Sequence, residues 1–378
     1  MSDHVPFHIQ QEILKRLPVK SLISFRSVSK AWKSFIDSSD FITAHSLLHA
    51  QPQHLLLRHR DWHHPLKKIY VSLFNEATFP QQRFVQTFPR SIRRFDSPKI
   101  IGSSHGLLCV HDSHSEVVVW NPSIRKSISI QLPSMRYDRF LFFLSFGVCP
   151  VTLDPKIIKI TQFGQWCEEK RKISKYWKVI VYTFSSGEWR KLSNNKERRK
   201  SVLHRHTGPQ VIIDRFIYWS ALYPPRPQYR NLIMSFDLTN ESFEVIDLPH
   251  NLACHPHNQL SISKLRESLV ILESSNNMEN KLVFVVWKME NNVQRSFTKL
   301  FTIEAQHESI MKVLGFRESG QPIIEVKDDV SKKSKLVVYE PNSKNFSDLE
   351  INGVSDEFYV NSYEETLLLL DRSDCISY

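Results

Sequence analysis

The 378-residue sequence predicts a mainly β protein in two parts: an N-terminal module of three to four helices over residues 1–50, then a β-propeller of kelch-like blade size, with six blades, over residues 51–378. Three observations predict it. Apolar residues recur at the helical period up to about residue 50, and at period two from about residue 55 onward. Strand-like runs ending on an aromatic recur at Trp120, Tyr182, Phe236, Trp287 and Tyr339, in steps of 62, 54, 51 and 52 residues, the spacing of four-stranded blades of ~50 residues each. Glycine is scarce, with 9 in the chain, which argues against folds built on Gly-rich phosphate loops.

In the helical part, Ile9, Ile13, Leu14 and Leu17 recur at i, i+4, i+5 and i+8. Pro6 suits the first turn and Pro18 ends the run, because proline cannot continue a helix interior. Val19, Leu22 and Phe25 make a short second helix; Val28, Trp32, Phe35 and Ile36 make a third, with Val28, Phe35 and Ile36 expected to face inward. Ser39 or Asp40 caps a fourth segment with Phe41, Ile42, His45 and Leu48 on one side.

The strands come as hairpins. One kind carries a polar turn after the aromatic, as in VVVWNPSIRKSISIQLP and LVVYEPNSKNFSDLEI. Between these lie Leu141–Ile160, Gln210–Ala221, Leu260–Glu273, Lys312–Lys327 and Glu357–Leu370. An early outer hairpin, Ile69–Phe88, lacks an inner one, and the terminal Glu357–Leu370 lacks an outer one. Pairing them closes the ring and removes exposed sheet edges.

Composition sets the class. Net charge is +11, yet residues 156–206 hold 14 Lys/Arg against 4 Glu, while residues 235–378 hold 14 basic and 23 acidic side chains. A nucleic-acid binder would be basic throughout; this pattern gives a positive and a negative side, although solvated lysines explain most of it. Five scattered cysteines without a CxxC pair read as reduced thiols of the cytosol or nucleus. The N-terminus has no signal-peptide pattern, and the longest apolar run, Phe140–Leu153, is too short for a bilayer. No cofactor, metal or membrane partner is expected. Gly102–Gly106 matches G-x-S-x-G, but a strand follows where a nucleophile elbow needs a helix. His63-His64 and His255-Pro256-His257 lack a second ligand pair at zinc spacing.

The stretch VPFHIQQEILKRLPVKSLISFRSVSKAWKSFI resembles an F-box, and GSSHGLLCV with VVVWNPSIRK resembles the F-box-associated domain of the large plant F-box family. One departure is Phe7 and His8, where the family usually has acidic residues after the first proline. The resemblance implies a non-catalytic substrate receptor of an SCF-type ubiquitin ligase, reaching a cullin–RING ligase through a Skp-type adaptor. Pro6, Ile9, Ile13, Leu14, Leu17, Pro18, Val19 and Leu22 are the expected adaptor contacts, since a bundle of ~40 residues buries too little surface to stand alone. The competing reading packs Ile9, Ile13, Leu17 and Trp32 onto the propeller. For the target, an acidic or phosphorylated protein segment, the candidates are Lys196, Arg198, Arg199 and Lys200 in a long link, with Tyr223 or Tyr229 as anchors. The alternatives are an adaptor-binding protein outside a ligase and a propeller enzyme; the latter would need perturbed acids or histidines at the channel mouth.

Overall fold

The computed structural model describes residues 5–48, 54–64, 68–74, 82–85, 89–95, 98–112, 116–133, 142–167, 172–192, 203–204, 210–223, 230–256, 259–290, 295–305, 309–327 and 333–377. Four helices open the chain: α1 (Phe7–Lys15), α2 (Val19–Phe25), α3 (Lys30–Ile36) and α4 (Ser39–Leu48). Pro6 and Pro18 are the N-caps of α1 and α2, where a missing N–H breaks no helical bond. The Ser29 hydroxyl caps α3 by accepting from the Trp32 N–H at 3.1 Å. Ser38 accepts from the Phe41 N–H at 3.3 Å, so the fourth cap stands one residue before the expected Ser39 or Asp40. Arg26 clamps Asp37 with two bonds of 2.5 and 2.8 Å, tying the end of α2 to the end of α3. One expectation fails here. Val28 is 62% exposed because it sits in the turn between α2 and α3, its N–H on the Phe25 carbonyl. Leu48 is also exposed, at the last position of α4.

Six antiparallel sheets follow. Blade 1 takes its innermost strand, Tyr359–Tyr363, from the C-terminal end and the rest, His54–Arg60, Lys68–Phe74 and Gln82–Val85, from the N-terminal end. Blade 2 is Lys99–Ser104, Leu107–His111, Glu116–Asn121 and Lys126–Gln131, with Ile376–Ser377 added outside. Blade 3 is Phe142–Val148, Pro155–Cys167, Lys172–Thr183 and Glu188–Lys191. In blade 4, Leu203–His204 and Val211–Ile213 both pair with Phe216–Tyr223, followed by Arg230–Asp237 and Phe243–Asp247. Blade 5 is Leu260–Leu265, Ser268–Asn276, Leu282–Met289 and Phe297–Ile303. Blade 6 is Ser309–Phe316, Pro322–Lys327, Lys333–Glu340 and Asn345–Val354. The aromatics at 120, 182, 236, 287 and 339 all fall in the third strand of their blades.

The ring closes with strands from both chain ends, but not as two hairpins. Only one C-terminal strand enters blade 1, and it pairs with His54–Arg60. The apolar stretch after it forms no strand because its carbonyls are taken elsewhere. The Asn121 amide donates to the Thr366 and Leu368 carbonyls at 3.0 and 2.7 Å. The Lys126 ammonium donates to those of Leu369, Leu370 and Arg372 at 3.2, 2.7 and 3.0 Å. The WNPSIRK turn is thus a clasp on the tail.

Each blade interface carries its own apolar cluster, as expected where sheets must be covered on both faces. The cluster between blades 2 and 3 extends further, taking in Leu367–Leu370 of the tail and Leu14, Val19, Leu22, Ile36, Phe41 and Ile42 of the helices. Strand one meets strand two, and strand three meets strand four, at one end of every blade. The helices and the clasp lie at that end, here the near face; the opposite strand ends, among them Arg60, Lys68 and Tyr223, lie at the far face.

Candidate protein-interaction surfaces

Helix α1 divides its apolar residues between two directions. Ile9 and Ile13 stand one turn apart on the same line, while Leu14 lies ~100° further round. Leu14 is buried, whereas Ile9 and Ile13 are 43% and 52% exposed. Of the expected adaptor contacts, Pro6, Ile9, Ile13 and Pro18 are exposed and Leu17 is half-buried. Leu14, Val19 and Leu22 are not surface residues: each is buried, with Ile36 and Phe41, in the cluster the helices share with blades 2 and 3. Neither Ile9 nor Ile13 packs onto the propeller, although Leu17 and Trp32 rest against the shared cluster. Trp32 Nε1 also donates to Gln10 Oε1 at 2.9 Å, fastening α3 to α1. Sequence periodicity overlooked Val5 and Phe7, which are exposed as well. Their signal was only that apolar residues stood off the counted stripe.

On the far face, Tyr223 is 41% exposed at the end of its strand. Lys196, Arg198, Arg199, Lys200 and Tyr229 lie outside the described residues. The link returns to the sheet at Leu203, which pairs with Leu222, so the chain re-enters blade 4 one position from Tyr223. Two members of the basic segment are not solvated. Lys156 is buried, donating to the Leu238 carbonyl and to Glu241, both at 2.7 Å. Buried Lys159 donates to the Pro133 carbonyl at 3.0 Å and lies over the Phe142 ring.

The remaining motifs resolve as follows. His105 and Gly106 both have positive φ, 47° and 72°, the backbone of a two-residue hairpin turn between paired strands. A side chain at Gly106 would meet the Glu364 carbonyl oxygen at 2.3 Å, so glycine is required there. Ser104 is buried and its Oγ accepts from the Val148 N–H at 3.0 Å. Nearby at the near-face mouth of the channel, burial raises the Glu364 carboxyl to about 7 and lowers His105. The Ser104 hydroxyl also meets His105 Nδ1 at 3.2 Å, so it bridges the imidazole and the Val148 N–H. His63 and His64 are exposed, and His255 pairs with Glu273 at 3.0 Å; His257 lies outside the described residues. Among the described residues no three His, Cys, Asp or Glu side chains are grouped to hold a metal, and no helix is long and apolar enough to cross a membrane.

The chain is thus a short helical module seated on a six-bladed propeller, with Ile9 and Ile13 of its first helix left uncovered. The F-box domain matches residues 3–43 and the F-box associated beta propeller domain matches residues 58–373. The chain therefore belongs to the F-box proteins that carry an F-box-associated propeller, proteins of the substrate-receptor type. Its relatives include F-box protein CPR1 of Arabidopsis thaliana, 26% identical over 98% of this chain and 90% of that protein. Putative F-box protein At1g47790 of the same plant is 24% identical over 93% and 86%. Among solved structures, an oligogalacturonate lyase in complex with manganese aligns at TM-score 0.41 and 11% identity over 76% of this chain and 71% of that one. That likeness is too loose to transfer anything.

Proposed function

We propose that this protein is the substrate-recognition subunit of an SCF-type E3 ubiquitin ligase. The helices dock on a Skp-type adaptor, and the propeller holds the protein to be ubiquitinated. Catalysis is then proximity: the receptor raises the local concentration of a target lysine near a charged conjugating enzyme. The observation that carries this reading is the exposed apolar line of Ile9 and Ile13, one turn apart on α1 and uncovered by the propeller. Pro6, Leu17 and Pro18 border it, whereas Leu14, Val19 and Leu22 support it from behind. The target meets the far face, on the side of Tyr223.

Covering the exposed half of Ile9 or Ile13 contributes about 1 kcal/mol each, and a carboxylate placed there adds a desolvation cost. Ile9→Asp with Ile13→Asp is expected to abolish adaptor co-purification and leave the melting temperature within about 1 °C. Undiminished co-purification would sink the reading. Leu14→Ala is the contrast, a core truncation that costs about 2–5 kcal/mol of module stability and weakens binding only by loosening the helices. If adaptor binds but no cullin joins the complex, the protein acts outside a ligase.

A further inference from the structure

The second strand of blade 1, HLLLRHR, runs to the far face. Alternation puts Leu56, Arg58 and Arg60 on one side, and Leu56 packs with Leu108 and Val118 of blade 2. The register sets Tyr70 opposite Arg58 and Lys68 opposite Arg60. Like charges directly opposite across antiparallel strands are destabilising. One carboxylate, Glu357, serves both guanidinium groups, at 3.9 Å from Arg58 and 3.3 Å from Arg60. Arg58 also reaches the Tyr70 hydroxyl and, at 3.4 Å, the Pro98 and Glu357 carbonyls, long for such bonds. The Arg60 Nε, shut from solvent, meets the Glu357 carboxylate at that 3.3 Å as an ion pair without hydrogen-bond geometry. Burial first, then the Arg58 and Arg60 charges, draw the Lys68 amine below its usual range against the pull of Glu357 and Asp112. Burial also pushes the Tyr70 and Tyr359 hydroxyls up to about 12, the mark of a poorly solvated surround. Three cations thus face two carboxylates in a sheltered cleft between blades 1 and 2.

We propose that Arg58, Arg60 and Lys68 form an oxyanion-binding site on the far face, which takes a phosphate or carboxylate group borne by the target protein. The assignment rests on the receptor reading above and names the chemistry its target must present. Guanidinium forks match either oxyanion in two parallel bonds, and an anion there offsets the repulsion among the three cations.

The probe is inorganic phosphate, applied to the full-length chain. Phosphate is expected to raise the melting temperature by about 2 °C over chloride at equal ionic strength. Lys68→Gln should lose that rise, yet be no less stable than the parent in chloride, because the charge facing Arg60 is gone. A purely structural lysine would give the opposite stability result. An equal phosphate shift in Lys68→Gln, or a lower melting temperature in chloride, overturns the site. Two peptides then separate the sources: one phosphoserine among neutral residues, and one of consecutive glutamates. Binding of either, weakened at least tenfold by Lys68→Gln, supports the site and names its anion; binding of neither overturns it. Adaptor co-purification, measured on the same variants, reads the docking assignment separately and is expected to be unchanged.

Discussion

Asn121 offers the sharpest test of how the ring is held. Its side chain is fully buried, its amide donates to the Thr366 and Leu368 carbonyls, and its Oδ1 accepts from the Ser123 N–H at 2.9 Å. Ser123 continues the network: its hydroxyl pairs with the Tyr363 hydroxyl at 2.7 Å and accepts from the Thr366 N–H at 3.3 Å. Asn121→Leu keeps the volume and removes every donor. Each carbonyl left dry and unpaired costs about 1–3 kcal/mol, so the substitution should cost about 2–6 kcal/mol, a large share of the ~5–15 kcal/mol typical of a folded domain. Lys126→Met keeps the apolar stem and loses three charge-assisted bonds; at a half-buried site, where solvent screens part of the charge, that is about 2 kcal/mol.

The two losses should not add. Both side chains hold one segment, so once it is freed the second substitution has less to break. Urea unfolding of the parent, both single variants and the double variant measures this, and limited proteolysis should find new cleavage between Glu364 and Arg372. An Asn121→Leu protein within ~0.5 kcal/mol of the parent, or a double variant equal to the full sum, would refute the clasp.

Two further outcomes follow from the fold. A chain ending at Asp356 lacks the innermost strand of blade 1, which exposes a paired edge of His54–Arg60 and should aggregate; a soluble fragment with a cooperative melt would contradict this closure. Glu364 has a folded pKa near 7 against an ordinary 4.5, so the stability tied to its protonated form is complete below pH 4.5 and lost as pH rises through 7. Glu364→Gln should therefore match the parent at pH 4.5 and exceed it by about 1–3 kcal/mol at pH 8, and equal stability at both pH values would exclude the effect.

The blades were legible because each announces itself locally. Period-two alternation marks the strands, and the aromatic ending the third strand repeats at blade length, as Trp120 and Tyr339 show. The division of strands at the closure was not legible. Thr366–Leu370 reads as a strand from its leucines, and only the amide of Asn121 and the ammonium of Lys126, more than 240 residues away, decide otherwise. The proposed docking site was half legible. A stripe at i, i+4, i+5 and i+8 wraps two sides of α1, and packing alone assigns Leu14 inward and Ile13 outward. The same limit hid Arg58, Arg60 and Lys68, because their juxtaposition depends on a register that no local pattern encodes.

The clasp also joins the two ends of the receptor. Leu367–Leu370 lie in the cluster that seats the helices on blades 2 and 3, so Asn121 and Lys126 hold the seat as well as the ring. A receptor that works by proximity gains effective concentration only if its two binding faces keep a fixed separation. Blade 1 sets that separation: one strand of seven residues, His54–Arg60, leads from the helices' side to the far-face cations, about 20 Å at ~3.3 Å per residue. Freeing the tail should therefore loosen the helices against the propeller without unfolding their own core, where Arg26 still grips Asp37. Adaptor binding by Asn121→Leu should then survive while ubiquitination of the target falls. Loss of both together would mean that the helices need the propeller to fold, and that the seat is structural alone.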